Sequence, residues 1–230
     1  MRASGILGVL FDLDGTLLDT APDMHGALVR LMQEEGRDPL PYALVRDHVS
    51  HGSRRLVQLG FPDIDAAGHE SLKQRFLDLY AAHLCLDTRL FPGMGESLDA
   101  MAAQGLRLGV VTNKPGWLTM PLLEALGLVK RFATIVSGDT LPERKPSPAP
   151  MRHAAHQAGG APETFVYIGD AERDIAAGRA AGMHTLIAGW GYIDADENPQ
   201  SWAADAALRE PGDFWPWFER LSGRSRCRAS

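Results

Sequence analysis

The 230-residue chain has two cysteines, Cys85 and Cys227. A pair so far apart makes neither a zinc cluster nor a disulfide framework, and the scarcity fits a reducing, cytoplasmic compartment. Long apolar runs are missing too. The longest early one covers residues 5–11 and stops at Asp12 and Asp14, so it is too short for a signal segment. No stretch approaches the ~20 apolar residues of a membrane span. Cations are in deficit, with 23 Lys+Arg against 29 Asp+Glu and a net charge of −6. That balance argues against nucleic acid or an anionic membrane as main partner. Any phosphate ligand must then be held by local cations, not by the global field. The remaining composition, 45% hydrophobic and 23% charged, excludes collagen-like, low-complexity and disordered classes. The length suits a large core with a smaller insert. No internal repeat is present.

Five apolar runs read as strands. Residues 6–11 end in Asp-Leu-Asp-Gly-Thr, 106–112 in Asn-Lys-Pro, 164–168 in Gly-Asp and 184–188 in Gly; a weaker run covers 133–136. Continuous apolar runs suit strands buried on both faces of a parallel sheet. Helical patterns at 96–103, 122–126, 150–158 and 171–181 separate them, most closed by glycine. Pro121 predicts a helix restart at that point, because an unbroken helix from Pro115 would be kinked there. Alternating strand and helix predict a doubly wound α/β core with right-handed crossovers. From residue 18 to 87 no strand is evident. Four amphipathic patterns, 24–34, 42–49, 53–59 and 70–84, predict an all-helical insert, a lid over the strand ends. The expected division is a core of 1–17 and 90–221, a cap of 18–89 and a frayed tail of 222–230.

Ligands of open α/β sheets bind beyond the carboxyl ends of the strands. Asp12, Asp14 and Thr16 follow the first strand, Thr112 and Asn113 the second, and Asp170 and Asp174 the fourth. Lys145 sits in a proline-rich loop ahead of a helix. Asp12 and Asp14 are two apart, so an extended backbone aims both to one side. Carboxylates held close repel unless a cation intervenes. An all-oxygen set prefers Mg²⁺, often completed by a substrate phosphate. Thr112, the Asn113 amide and Lys145 are suited to hold a small dianion beside it, and Gly15 is expected to expose backbone N–H groups in a sharp turn. Taken singly, each has a plainer reading as helix cap, turn former or solvated loop residue. Their joint position at one end of successive strands favours phosphoryl transfer.

The motif Asp12-Leu13-Asp14-Gly15-Thr16 resembles the first motif of the haloacid dehalogenase superfamily. Thr112-Asn113, Lys145 and Gly169-Asp170-Ala171-Glu172-Arg173-Asp174 resemble its second, third and fourth motifs, in order, and the insert resembles its cap. The resemblance implies Asp12 as a nucleophile forming an aspartyl-phosphate. It implies Asp14 as general acid and then base. Mg²⁺ is implied on Asp12, the Asp14 carbonyl, Asp170 and Asp174, with Thr112, Asn113 and Lys145 holding the phosphoryl group. An acid at Asp14 favours an alcohol leaving group over halide.

Within the phosphatases, the segments at 17–22, 110–115 and 121–124 resemble bacterial phosphoglycolate phosphatases. Those at 191–193, 196–199 and 202–205 resemble a sister group acting on N-acetylmuramic acid 6-phosphate in cell-wall recycling. The cap stretch 49–54 fits that group too, except at His51, where glycine is more usual. Both substrates carry a carboxylate, which Arg54 at the start of a cap helix is placed to meet, though a surface role for Arg54 is as good a reading. Trp190 and Tyr192 read equally as pocket lining or core. A small-molecule phosphate ester is thus the expected partner of a monomer or homodimer. A phosphosugar mutase shares every catalytic residue and is the nearest rival. A signalling receiver is shorter, carries adjacent acids and lacks a lid.

Overall fold

The computed structural model describes residues 5–221. The apolar run before Asp12 forms β1 (Gly8–Phe11), buried at all four positions. A two-residue strand β2 (Leu18–Asp19) follows, then four helices: α1 (Ala21–Glu34), α2 (Tyr42–Arg46), α3 (Gly52–Gly60) and α4 (Ala66–Ala82). The chain returns through β3 (Arg89–Leu90) and α5 (Met94–Ala103) to β4 (Arg107–Val111). Then come α6 (Gly116–Ala125), β5 (Thr134–Val136), α7 (Ala149–Gln157), β6 (Phe165–Gly169), α8 (Glu172–Ala181), β7 (His184–Ala188), β8 (Ala206–Leu208) and α9 (Phe214–Leu221).

Six strands form one sheet in the order β5-β4-β1-β6-β7-β8, and every pair is parallel. β1 lies between β4 and β6, where the winding reverses. That reversal opens a crevice at the carboxyl ends of these three strands. Alternation along β1 divides the core. Leu10 joins a cluster with Met151, Ala154 and Ala177 of α7 and α8, whereas Val9 and Phe11 join the cluster holding Leu98, Leu122 and Phe214 of α5, α6 and α9. Helices thus cover both faces, as a sheet buried on two sides requires.

β2 and β3 pair antiparallel, Leu18 with Leu90 and Asp19 with Arg89, in a separate two-stranded ribbon. The strand at Leu18–Asp19 corrects the expectation of no strand from residue 18 to 87. Two residues are too few to show a hydrophobic period. Buried Asp23 of α1 secures the return path. Its carboxylate accepts the Asp87 and Thr88 N–H groups at 2.8 and 3.0 Å and the Thr88 hydroxyl at 2.6 Å. A second correction concerns Pro121. No restart occurs, and α6 runs unbroken through it. The hydrogen bond that Pro121 cannot donate would have gone to the carbonyl of Trp117, an exposed residue in the first turn, where its loss costs least. Strand β8 and helix α9 were not expected from the sequence. The tail at residues 222–230 lies outside the described residues.

Candidate active site

Asp12 stands one residue past β1 and is 3% exposed. Its backbone N–H donates to Ile168 O at 2.9 Å, which fastens the turn to β6. Lys145, also buried, reaches in from the loop before α7. Its Nζ lies 2.8 Å from Asp12 Oδ1 and 2.6 Å from Asp174 Oδ1, and donates to Val111 O and Tyr167 Oη at 3.0 and 2.9 Å. Asn113 fixes that loop. Its side chain donates to Lys145 O at 3.0 Å and accepts the Lys145 N–H at 3.1 Å. Thr112 Oγ1 accepts the Lys114 N–H at 3.1 Å. Asp12, Asp14, Thr112 and Asn113 line one cavity of about 630 Å³, and Arg54 lies on its wall.

Asp170, at the end of β6, is fully buried. Its Oδ1 accepts the Thr16 hydroxyl at 3.1 Å, and its Oδ2 accepts the Ser50 hydroxyl at 2.6 Å and the Tyr192 N–H at 2.9 Å. Burial pushes its carboxyl up to about 7, with Asp12 and Asp174 adding repulsion. Asp174, in the first turn of α8, is raised for the same reasons against the pull of Lys145. Its Oδ2 accepts the Ala171 N–H at 3.1 Å, while its buried Oδ1 has the Lys145 ion pair but no hydrogen bond. Asp12, Asp170 and Asp174 each offer an oxygen within 4.8 Å of the others. Three buried carboxylates of oxygen-only chemistry, with one oxygen short of hydrogen bonds, fit a hard divalent cation.

Gly15 adopts φ +83°, the left-handed turn expected of it, but its N–H is not exposed to a ligand: it donates to Leu18 O at 3.0 Å. The reason is the tight bridge between the first-strand turn and β2. Asp14 sits beyond it. Its Oδ1 accepts the Thr20 hydroxyl at 2.7 Å and Lys114 Nζ at 2.9 Å, which leaves Oδ2 free among the described residues. Lys114 also donates to Tyr80 Oη of α4 at 3.0 Å. Burial alone would lower the Lys114 ammonium, but Asp14 and Tyr80 outweigh it and hold it above its ordinary value. Burial likewise pushes the Tyr80 phenol up to about 12.

Lys114 and Ser50 were missed as site residues. Lys114 adjoins the Thr112-Asn113 turn, and that adjacency was the available signal. Ser50 gains meaning only when its 3-10 turn lands on Asp170. Arg54 has a 73% exposed side chain, 3.7 Å from Glu70. Trp190 and Tyr192 serve the framework beneath the cavity. The Trp190 indole donates to Thr16 O at 3.0 Å, and the buried Tyr192 hydroxyl accepts Ala21 N–H and donates to Asp19.

Residues 9–188 match the family model described as haloacid dehalogenase-like hydrolase. The chain belongs to that family. A phosphoglycolate phosphatase of Xanthomonas campestris pv. campestris is 44% identical over 207 residues, covering 90% of this chain and 94% of its own. An N-acetylmuramic acid 6-phosphate phosphatase of Pseudomonas aeruginosa is 39% identical over 221 residues, covering 96% and 98%. A solved structure titled a predicted phosphoglycolate phosphatase from Haemophilus somnus superposes with TM-score 0.83 at 28% identity, covering 93% of this chain and 98% of that one. Among the described residues of this haloacid dehalogenase-like hydrolase, no helix is long and apolar enough to cross a membrane.

Proposed function

We propose that this hydrolase is a Mg²⁺-dependent phosphomonoesterase working through an aspartyl-phosphate on Asp12. The observation that carries the reading is Lys145 Nζ, buried and ion-paired with Asp12, which lines the cavity, and with Asp174, beside Asp170. A cation among carboxylates keeps Asp12 aimed and screens it from its neighbours, so that it can approach an anionic phosphoryl group. Asp12, the Asp14 carbonyl, Asp170 and Asp174 would hold Mg²⁺, which supplies positive charge to the phosphoryl oxygens.

In the first half-reaction an Asp12 oxygen attacks phosphorus and the bond to the ester oxygen breaks. Asp14 gives its proton to that leaving oxygen through Oδ2, while Thr20 and Lys114 hold Oδ1. In the second half-reaction Asp14 takes a proton from water, the resulting hydroxide attacks phosphorus, and the Asp12 oxygen leaves with both bonding electrons. Thr112 and Lys145 orient the phosphoryl oxygens. Helices α1–α4 act as a cap of residues 18–89 on a core of 1–17 and 90–221. Ser50 and Tyr80 carry its contacts to Asp170 and Lys114. Closure excludes water in the first step, and opening releases product.

The substrate is a small phosphate ester bearing a carboxylate, which Arg54 on the cavity wall is placed to meet. A cavity near 630 Å³ has the scale of a drug-sized ligand and favours an acidic amino-sugar phosphate over a two-carbon acid. N-acetylmuramic acid 6-phosphate is therefore preferred to 2-phosphoglycolate. The deciding experiment is phosphate release with Mg²⁺ from these two esters and hexose phosphates, beside Asp12→Asn. Turnover that disappears with EDTA and in Asp12→Asn is expected, fastest on the amino-sugar ester. Transfer of phosphate between positions of a sugar without net release would point instead to a mutase.

A further inference from the structure

A second group of metal-ligating side chains lies outside the acidic centre, with His51 on the wall of the same cavity. His48 and His51 flank and end a short 3-10 turn, Val49–His51. Residues three apart in a 3-10 helix stack on one side, and the two rings lie 6.2 Å apart. They face the loop after β7. There His48 Nδ1 is 2.9 Å from Asp194 Oδ2, and His51 Nε2 is 3.7 Å from Glu197 Oε1. The loop itself orients the acid: Asp194 Oδ1 accepts the Asp196 N–H at 3.2 Å, leaving Oδ2 turned to His48. His48 Nδ1 is buried and, despite the short distance, makes no hydrogen bond.

We infer that His48, His51 and Asp194, with Glu197 in reach, form a second metal site that takes a zinc-class dication. Ligand atoms of His48, His51 and Asp194 already lie within 4.8 Å of one another. Around Zn²⁺ at 2.0–2.1 Å, tetrahedral ligands stand about 3.3 Å apart, so rotations of the side chains suffice. The 2.9 Å separation at His48 and Asp194 is already near that spacing. Imidazole nitrogen selects zinc-class ions over Mg²⁺, which prefers oxygen and water. The ion bridges the 48–51 turn of the helical segment to the loop after β7. Ser50, between the two histidines, donates to Asp170. Occupancy therefore ties the helical segment down beside the cavity.

The test is a zinc titration of the full chain against a fluorescent chelator, with millimolar Mg²⁺ present to fill the acidic centre. One zinc per chain with micromolar or tighter affinity is expected, at least tenfold weaker in His51→Gln and Asp194→Asn. X-ray absorption at the zinc edge on the wild-type chain should report two imidazoles per ion. This second reading stands even if a variant folds poorly. No binding at micromolar zinc, equal binding in the two folded variants, or an oxygen-only shell would overturn the inference.

Discussion

Asp170 makes the strongest quantitative prediction. Its carboxyl is raised from 3.8 in a free side chain to about 7 in the folded protein. Between those values the native state binds more protons than the unfolded chain, so metal-free stability falls as pH rises through that window. Each unit is worth about 1.4 kcal/mol, so the ionised carboxylate costs on the order of 4 kcal/mol above pH 7, and nothing below pH 4. Asn fits the same position. Its oxygen can accept from Ser50 and Tyr192, and its amide can donate to Thr16, whose hydroxyl both donates and accepts. Asp170→Asn should therefore be more stable than wild type in EDTA at pH 8, and equal to it at pH 4. For a chain of this size, the gain corresponds to a rise in Tm of about 8–16 °C. Saturating Mg²⁺ should reverse the order, because the ion binds the native carboxylate and not the amide. Urea unfolding of both proteins at the two pH values, with and without metal, measures each term. Equal stabilities in EDTA at pH 8 would refute the reasoning, since the stored repulsion would then not exist.

Two further substitutions probe the same centre. Gly15→Ala should lower kcat/KM at least a hundredfold and weaken Mg²⁺ in a titration, because its Cβ would stand 2.1 Å from Asp170 Oδ2 at a left-handed φ. Tyr80→Phe removes one partner of a buried ammonium and should cost about 1–3 kcal/mol in chemical denaturation. If the Lys114 contact also carries cap closure, the same variant should lower kcat more than it raises KM in steady-state kinetics.

The parts of the fold that were legible have strong local signals. Residues 184–188 form β7 as expected, because a continuous apolar run bounded by glycine has little else to become. β8 was not legible: Ala-Ala-Leu carries no β-branched residue, and only pairing with β7 makes it a strand. Helix α9 was readable in principle. Phe214, Trp217, Phe218 and Leu221 recur at helical spacing, and Pro216 sits in its first turn where proline is tolerated. For the candidate site, the sequence announces acids and cations at strand ends, and the structure brings Asp12, Lys145, Asp170 and Asp174 together. For Lys114 the sequence offers only its place beside the Thr112-Asn113 turn, because its partners Asp14 and Tyr80 come from other elements.

The position of β1 in the sheet governs how this chain is made. Gly8 precedes both of its partners in the chain, pairing with Arg107 on one side and Phe165 on the other. The apolar run that leads to Asp12 must wait, unpaired on both edges, until the residues of β4 and then β6 follow it. Helices α1–α4 follow, and their mutual packing, α1 against α4 included, lies within residues 21–82, so they can gather first. The pairing of β1 on its second edge is then completed when β6 arrives. The acidic centre draws on β1, β6 and α8, so it assembles only after this long-range pairing is complete.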